Sequence, residues 1–296
     1  HLTNTMLSGI VPVLKARRDA PAIVATCQGE DAFVESIPSP WSERARDLMQ
    51  NHARMLEGIA APCRAAADRM AAFLDVAPEA VSIVPPGIDV NAYIDNRETQ
   101  TADGPIVGYL SRIGPEKGLD VLIEAARIVR DRGVEFRIDV AGRVVDNGFY
   151  KDVRARIARA GLMDRVRFQG EIPAHEKPEY LSRCSIFCVP YRDFETDGMA
   201  VLEAQAAGVP AVAPRDGIFP EMFELTDGGV TVPGRRPEDW AEALGGCLQQ
   251  GDDRTRRRDA IRRAVAEHYS TDRMVDGMIS IYERSRQTAS SASKTP

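Results

Sequence analysis

The residues with the clearest chemical potential lie in Glu195-Thr-Asp-Gly-Met-Ala-Val-Leu-Glu203, which runs into Ala-Gln-Ala-Ala-Gly-Val-Pro210. Two glutamates bracket a turn and the opening of a helix, and Gly198 stands where that helix should begin. The apolar run 185–190 just before reads as a buried parallel strand. Free N–H groups at a helix start point at an anion, and the helix dipole favours one there. A phosphate at Gly198 also needs positive side chains. Arg112 and Lys117 supply them from a second loop, Ser111-Arg-Ile-Gly-Pro-Glu-Lys-Gly118. Each charge-assisted hydrogen bond of that kind contributes roughly 1.5–3 kcal/mol. Taken alone, Arg112 and Lys117 would pass for ordinary loop charges. Glu203 is harder to dismiss, because its neighbours Val201, Leu202, Ala204, Ala206 and Ala207 are small or apolar. A carboxylate in that company needs a partner.

The elements that would position these groups follow from periodicity. A strand at 106–110 leads into the first loop and then an amphipathic helix over 119–132. Leu119, Leu122, Ile123, Ala126 and Val129 form its apolar stripe. Open α/β sheets bind ligands at such places, outside the carboxyl ends of strands. Further strands at 135–141, 166–169, 185–189, 211–213 and 229–232 alternate with helical segments, which predicts a parallel sheet with helices on both faces. Upstream only three strands are legible, 22–26, 58–61 and 81–84, with helices at 41–57 and 63–74 between them. A whole Rossmann-like half needs more. With His1 opening the chain, the expectation is a first domain shortened at its N-terminal side. Beyond Pro237, helices are expected at 238–248, 254–269 and 272–286. The basic run Arg254-Thr-Arg-Arg-Arg258 is flanked by Asp252, Asp253 and Asp259 and reads as a solvated helix face. The small, polar segment 287–296 is expected to be disordered. Cys184 and Cys188 read as core residues around a strand.

Gly108-Tyr-Leu-Ser-Arg-Ile-Gly-Pro-Glu-Lys-Gly118 and the stretch from Glu195 to Pro210 resemble the two signatures of family 4 glycosyltransferases, in the right order and spacing. The resemblance runs over about 85–285. It implies an α/β fold of GT-B architecture, two Rossmann-like domains with parallel sheets, the first incomplete here. The implied layout is an acceptor-side domain over 1–86, a nucleotide-sugar donor domain over 87–271, a returning helix over 272–286 and a tail over 287–296. Carried over by position, Arg112 and Lys117 hold the donor diphosphate and Glu203 binds the ribose hydroxyls. Glu195 lies by the sugar, and Gly198 with Met199 forms the phosphate-facing helix start. Arg143 in the Ala141-Gly-Arg143 turn would lie near the nucleotide. Gly170 and Ile172, in the turn Gly170-Glu-Ile-Pro173, would hold the base through backbone groups. Asp216-Gly-Ile-Phe-Pro-Glu221 resembles a loop near the cleft, with Gly217 forming the turn. On the acceptor side, Gln28 and Gly29 stand where the family usually offers a histidine. Glutamine can hydrogen-bond a sugar hydroxyl but cannot share a proton at neutral pH. The implied activity is transfer of a sugar from a nucleoside-diphosphate sugar to an acceptor with retention of configuration. No cofactor or metal is implied, since no Asp-x-Asp cluster is present.

Composition narrows the rest. A length of 296 residues sets a prior of two domains, and 44% hydrophobic residues suffice for more than one core. The net charge of -6 and pI near 5.4 argue against nucleic acid as a partner. No apolar run is long enough to span a bilayer, so membrane contact is expected only if the acceptor is a lipid. Five dispersed cysteines fit reduced thiols and a cytoplasmic location. The reading of another class is a non-catalytic nucleotide-sugar-binding module. A phosphorylase of the same architecture would need a cofactor lysine or another phosphate loop, and neither is seen. Donor base, sugar, acceptor, linkage and oligomeric state are not written in these residues.

Overall fold

A computed structural model describes residues 1–94, 104–249 and 254–292. The chain divides into two compact units, His1–Gly87 together with the chain from Thr271 on, and Ile88–Ser270. Among the described residues, no helix is long and apolar enough to cross a membrane.

The first unit is built on three parallel strands, β1 (Val24–Thr26), β2 (Gly58–Ala61) and β3 (Val81–Ile83), in the order β1-β2-β3. Leu2 adds an isolated parallel bridge at the outer edge of β1. The helices Trp41–Ala53 and Arg64–Leu74 fall where periodicity predicts them, the first ending four residues early. The last helix, Thr271–Ala292, lies on this sheet and buries Ile281 against Val24, Ala60 and Val84. Gly58 makes the approach possible, because a Cβ there would stand 2.6 Å from the Ser285 hydroxyl. Sequence reasoning ended this helix near Arg286 and expected disorder beyond. Instead the helix continues to Ala292, and Thr288 donates its hydroxyl to the Arg284 carbonyl at 3.1 Å. Residues 287–292 hold no glycine or proline to stop it, and residues 293–296 lie outside the described set.

The second unit holds β4 (Ile106–Leu110), β5 (Arg137–Ala141), β6 (Val166–Gly170), β7 (Ile186–Cys188), β8 (Ala211–Pro214) and β9 (Gly229–Val232). They form one parallel sheet in the order β6-β5-β4-β7-β8-β9. Strands are added outward from β4 on one side, and the chain then crosses to β7 and builds the other. The reversal falls between β4 and β7, so the connections leaving these two strands diverge and open a crevice at their carboxyl ends. Every residue of β4 and β8 is buried, as strands covered by helices on both faces require. The helix Leu119–Asp131 buries its predicted stripe, and the helix Pro237–Gln249 packs against it with Trp240, Leu244 and Leu248. Cys184 and Cys188 are buried free thiols, and burial pushes the Cys184 thiol up to about 12.

One expectation is overturned here. Arg258 does not lie on a solvated face: it is 6% exposed. Its guanidinium donates to the carbonyls of Cys184, Ser182 and Ala207 at 3.1–3.2 Å. Two of these carbonyls belong to the ends of the helices Lys177–Ser182 and Met199–Ala206, where the dipole favours a cation. The charge count of the run could not reveal this, because the partners are backbone atoms distant in sequence. Arg258→Ala is expected to lower stability by about 3 kcal/mol, measured by denaturant unfolding. A midpoint equal to that of the unsubstituted chain would show these bonds to be dispensable.

Candidate functional site

A cavity of about 370 Å³ opens at the reversal point of the second sheet. Its walls come from four loops that leave the carboxyl ends of β4, β5, β6 and β7, and from the start of the Met199–Ala206 helix. These loops are locked together by backbone contacts that only glycine permits. Gly118 (φ 67°) begins the helix Leu119–Asp131, and a Cβ there would fall 1.8 Å from the Pro190 carbonyl oxygen. Gly217 (φ 60°) lies against the backbone of Glu195, where a Cβ would stand 2.1 Å from its carbonyl oxygen. The Ile218 amide then donates to that same oxygen at 3.0 Å. The turn expected at Gly217 thus acts as the seat of the Glu195 loop. Arg192 clamps the other side, with its amide on the Glu116 carbonyl at 2.8 Å and its guanidinium on Asp120 at 2.8 Å. Inside, the Tyr109 hydroxyl reaches the carbonyl of Lys117 at 3.2 Å and so holds the first loop from beneath.

Charge is distributed unevenly over this frame. The Lys117 ammonium lies 3.2 Å from Glu195 Oε2 and 4.1 Å from the centre of the Tyr191 ring. Burial raises the Tyr191 phenol well above its ordinary value, so the ring beneath the ammonium is neutral and offers its electron-rich face. The Lys117 side chain is only 12% exposed and that of Glu195 20%. Burial pushes the Glu195 carboxyl above the usual carboxylate range, the Lys117 charge pulls it back, and nearby Asp197 adds to the rise. Arg112 and Arg143 are exposed on the cavity wall, and among the described residues neither guanidinium has a hydrogen-bonded or ionic partner. Gly198 adopts the left-handed conformation that starts the helix, but the next amide is taken: Asp197 Oδ1 accepts from Met199 N–H at 3.2 Å. Deeper along the same helix Glu203 faces Lys177, whose ammonium contacts Oε1 at 2.8 Å and Oε2 at 3.1 Å.

The family described as glycosyl transferases group 1 matches residues 93–264 of this chain. The chain belongs to that family. Among relatives of this group 1 chain is a D-inositol 3-phosphate glycosyltransferase of Jonesia denitrificans, 30% identical over 234 residues. That match covers 72% of this chain and 53% of the relative. A GDP-mannose-dependent alpha-(1-6)-phosphatidylinositol monomannoside mannosyltransferase of Mycolicibacterium smegmatis is 28% identical, covering 88% of this chain and 68% of its own. The chain therefore spans about half to two thirds of the length of such relatives. Among solved structures, sucrose-phosphate synthase of Thermosynechococcus elongatus has a TM-score of 0.76 at 19% identity, covering 94% of this chain and 71% of its own. Anabaena HepE in complex with UDP and glucose has a TM-score of 0.71 at 20% identity, covering 98% and 75%. At that identity the likeness shows the fold, and it is the α/β, GT-B class that the two motifs implied.

Of the residues singled out from sequence, Arg112, Arg143, Ile172, Glu195, Gly198, Met199 and Glu203 all line the cavity. Lys117 sits just behind the wall, paired with Glu195. Gly170 ends β6 and offers its carbonyl to the Gly142 amide at 2.7 Å, shaping the wall without lining it. Gln28 and Gly29 belong to the first unit. Gln28 is exposed there, and its backbone N–H donates to Glu30 Oε2 at 2.7 Å. Two residues escaped sequence reasoning. Lys177 carried no motif, and only the tertiary fold brings it to Glu203. Tyr191 could have been suspected as the aromatic residue that follows the β7 strand. In the first unit His1, considered from sequence and set aside, meets the Thr26 hydroxyl at 2.8 Å at the end of the strand that precedes Gln28.

Proposed function

We propose that this chain is the donor-binding part of a retaining glycosyltransferase that moves a sugar from a nucleoside-diphosphate sugar to a hydroxyl acceptor. The observation that carries the reading is the convergence of Arg112, Glu195, Gly198 and Glu203 on one cavity at the reversal point of the parallel sheet. In it, the diphosphate lies by the Gly198 helix start, with Arg112 and Lys117 as its cations and Arg143 beside the nucleotide. Glu203 takes the ribose diol, the backbone around Gly170 and Ile172 borders the base, and Glu195 borders the sugar. Departure of the diphosphate leaves an oxocarbenium-like sugar and gathers negative charge on the phosphate oxygens. Fixed cations at that charge, with the positive end of the helix dipole behind them, lower the barrier. The departing phosphate oxygen accepts the acceptor's proton, so neither an enzyme nucleophile nor a metal is required.

The names of the relatives make a cyclitol phosphate the first acceptor to assay. A lipid acceptor would bring the chain to a membrane surface. Its five free thiols suit the cytoplasm. The test is calorimetric titration of the chain with UDP, GDP and ADP in buffer containing a chelator. One of them is expected to bind, and Glu203→Ala is expected to weaken it about tenfold, about 1.4 kcal/mol. Absence of binding by all three to the folded chain would defeat the donor-site reading. Equal affinity in the variant would remove only the ribose role.

A further inference from the structure

Glu203 does not wait in the cavity with its two oxygens bare. The Lys177 ammonium engages both, at 2.8 and 3.1 Å, and this pair is better fixed than a surface ion pair. The Glu203 side chain is 12% exposed and that of Lys177 30%. Lys177 opens the helix Lys177–Ser182, with Pro178 in its first turn. Tyr180 in the same short helix is buried, its hydroxyl 2.6 Å from the Asp139 carbonyl and 2.9 Å from that of Tyr109. That anchors the helix to β5 and β4. Arg258 also caps the Ser182 carbonyl at the helix's far end. The lysine stem is therefore held at the cavity edge by groups that do not themselves face a ligand.

We infer that Lys177 is a positioning residue for nucleotide recognition: it holds the Glu203 carboxylate turned so that its remaining lone pairs meet a cis-diol of a nucleoside diphosphate. This rests on the donor-site reading above. An ionised carboxylate offers about four acceptor positions, so an ammonium and two hydroxyls share it without competing for one lone pair. Two buried phenols, Tyr93 and Tyr191, also feel the Glu203 charge, and burial raises both well above their ordinary value and keeps them neutral. Among the described residues, Lys177 is the cation paired with this carboxylate. Glu203 also lies five positions beyond Gly198, about 7 Å along the helix axis. That separation lets one ligand put its phosphate at the helix start and its sugar diol at Glu203.

An ion pair that merely joined the helices Lys177–Ser182 and Met199–Ala206 would affect every nucleotide alike. A positioning residue affects discrimination between ribose and 2′-deoxyribose. The experiment titrates the full chain with the nucleoside diphosphate that binds it and with its 2′-deoxy counterpart, for the unsubstituted chain, Lys177→Met and Lys177→Arg. Expected is about tenfold preference for the ribonucleotide in the unsubstituted chain, falling to about twofold or less in Lys177→Met and restored in Lys177→Arg. Lys177→Gln serves in place of methionine should that variant not fold. A chain that is unfolded with both the methionine and the glutamine substitution would mark the pair as structural and overturn the inference. So would a ribose preference that survives the loss of the ammonium. If neither nucleotide binds the unsubstituted chain, the donor-site reading falls, and this inference with it. That result is distinct from binding with unaltered discrimination, which defeats Lys177 alone.

Discussion

Replacing Lys117 with methionine is expected to lower kcat/KM for sugar transfer by about 10²–10³-fold, the usual loss when one fixed transition-state donor is removed. Methionine preserves most of the apolar stem that carries the ammonium to the Tyr191 ring, so the effect isolates the charge. In the resting site that ammonium is divided between Glu195 and the ring face. Neither partner satisfies all three of its N–H donors, so it keeps capacity for a phosphate oxygen. The loss should fall mainly on kcat, because negative charge on the phosphates grows as the sugar departs and the cation gains most there. Affinity for the nucleoside without phosphates should not change. Steady-state kinetics with a nucleotide sugar, paired with nucleoside titration, decide the matter. An unchanged kcat would mean that Lys117 serves only as the counter-charge of Glu195.

That division of labour was partly visible in the residues alone. The loop 111–118 and the stretch Glu195 to Glu203 could be placed at strand ends because each follows a short apolar run and precedes a helical pattern. Both strands are found there, and they are the two that flank the reversal of the sheet. Local periodicity reports burial, and burial decides where a parallel strand can lie. What periodicity cannot report is a partner distant in sequence. Lys117 and Glu195 were assigned separate duties on separate ligand groups, yet they form one ion pair. Lys177 was invisible because its distance from Glu203 is set by two helices and the strand between them. Arg258 was misread for the same reason, since its acceptors are carbonyls on helix ends that no side-chain pattern encodes. The continuation of the last helix past Arg286 shows the opposite limit. Weakly helical composition was taken for disorder where no residue forbade the helix.

Glu195 should reveal a conflict between stability and turnover. Its carboxyl is held above the usual value of 4.5 chiefly by burial, and the Lys117 charge does not cancel the effect. A carboxyl raised on folding contributes stability fully below its unfolded value, and that contribution is lost as pH rises through the folded value. At neutral pH the ionised group therefore works against the fold. Glu195→Gln, nearly isosteric and uncharged, should accordingly melt above the unsubstituted chain at pH 7. The difference should shrink steadily as pH is lowered toward 4.5, and Tm measured across that range checks it. Transfer should move the other way, falling about 10²-fold in the variant, because the sugar loses the carboxylate beside its developing positive charge and Lys117 loses the partner that aims it. A lower Tm at pH 7 would mean that the Lys117 pair outweighs burial, contrary to the direction of the shift. A higher Tm with undiminished transfer would leave Glu195 without a catalytic part. The two readouts answer different questions because the feature that burdens the fold, a charge kept in a largely buried place, is the one the proposed transfer calls on at the departing sugar.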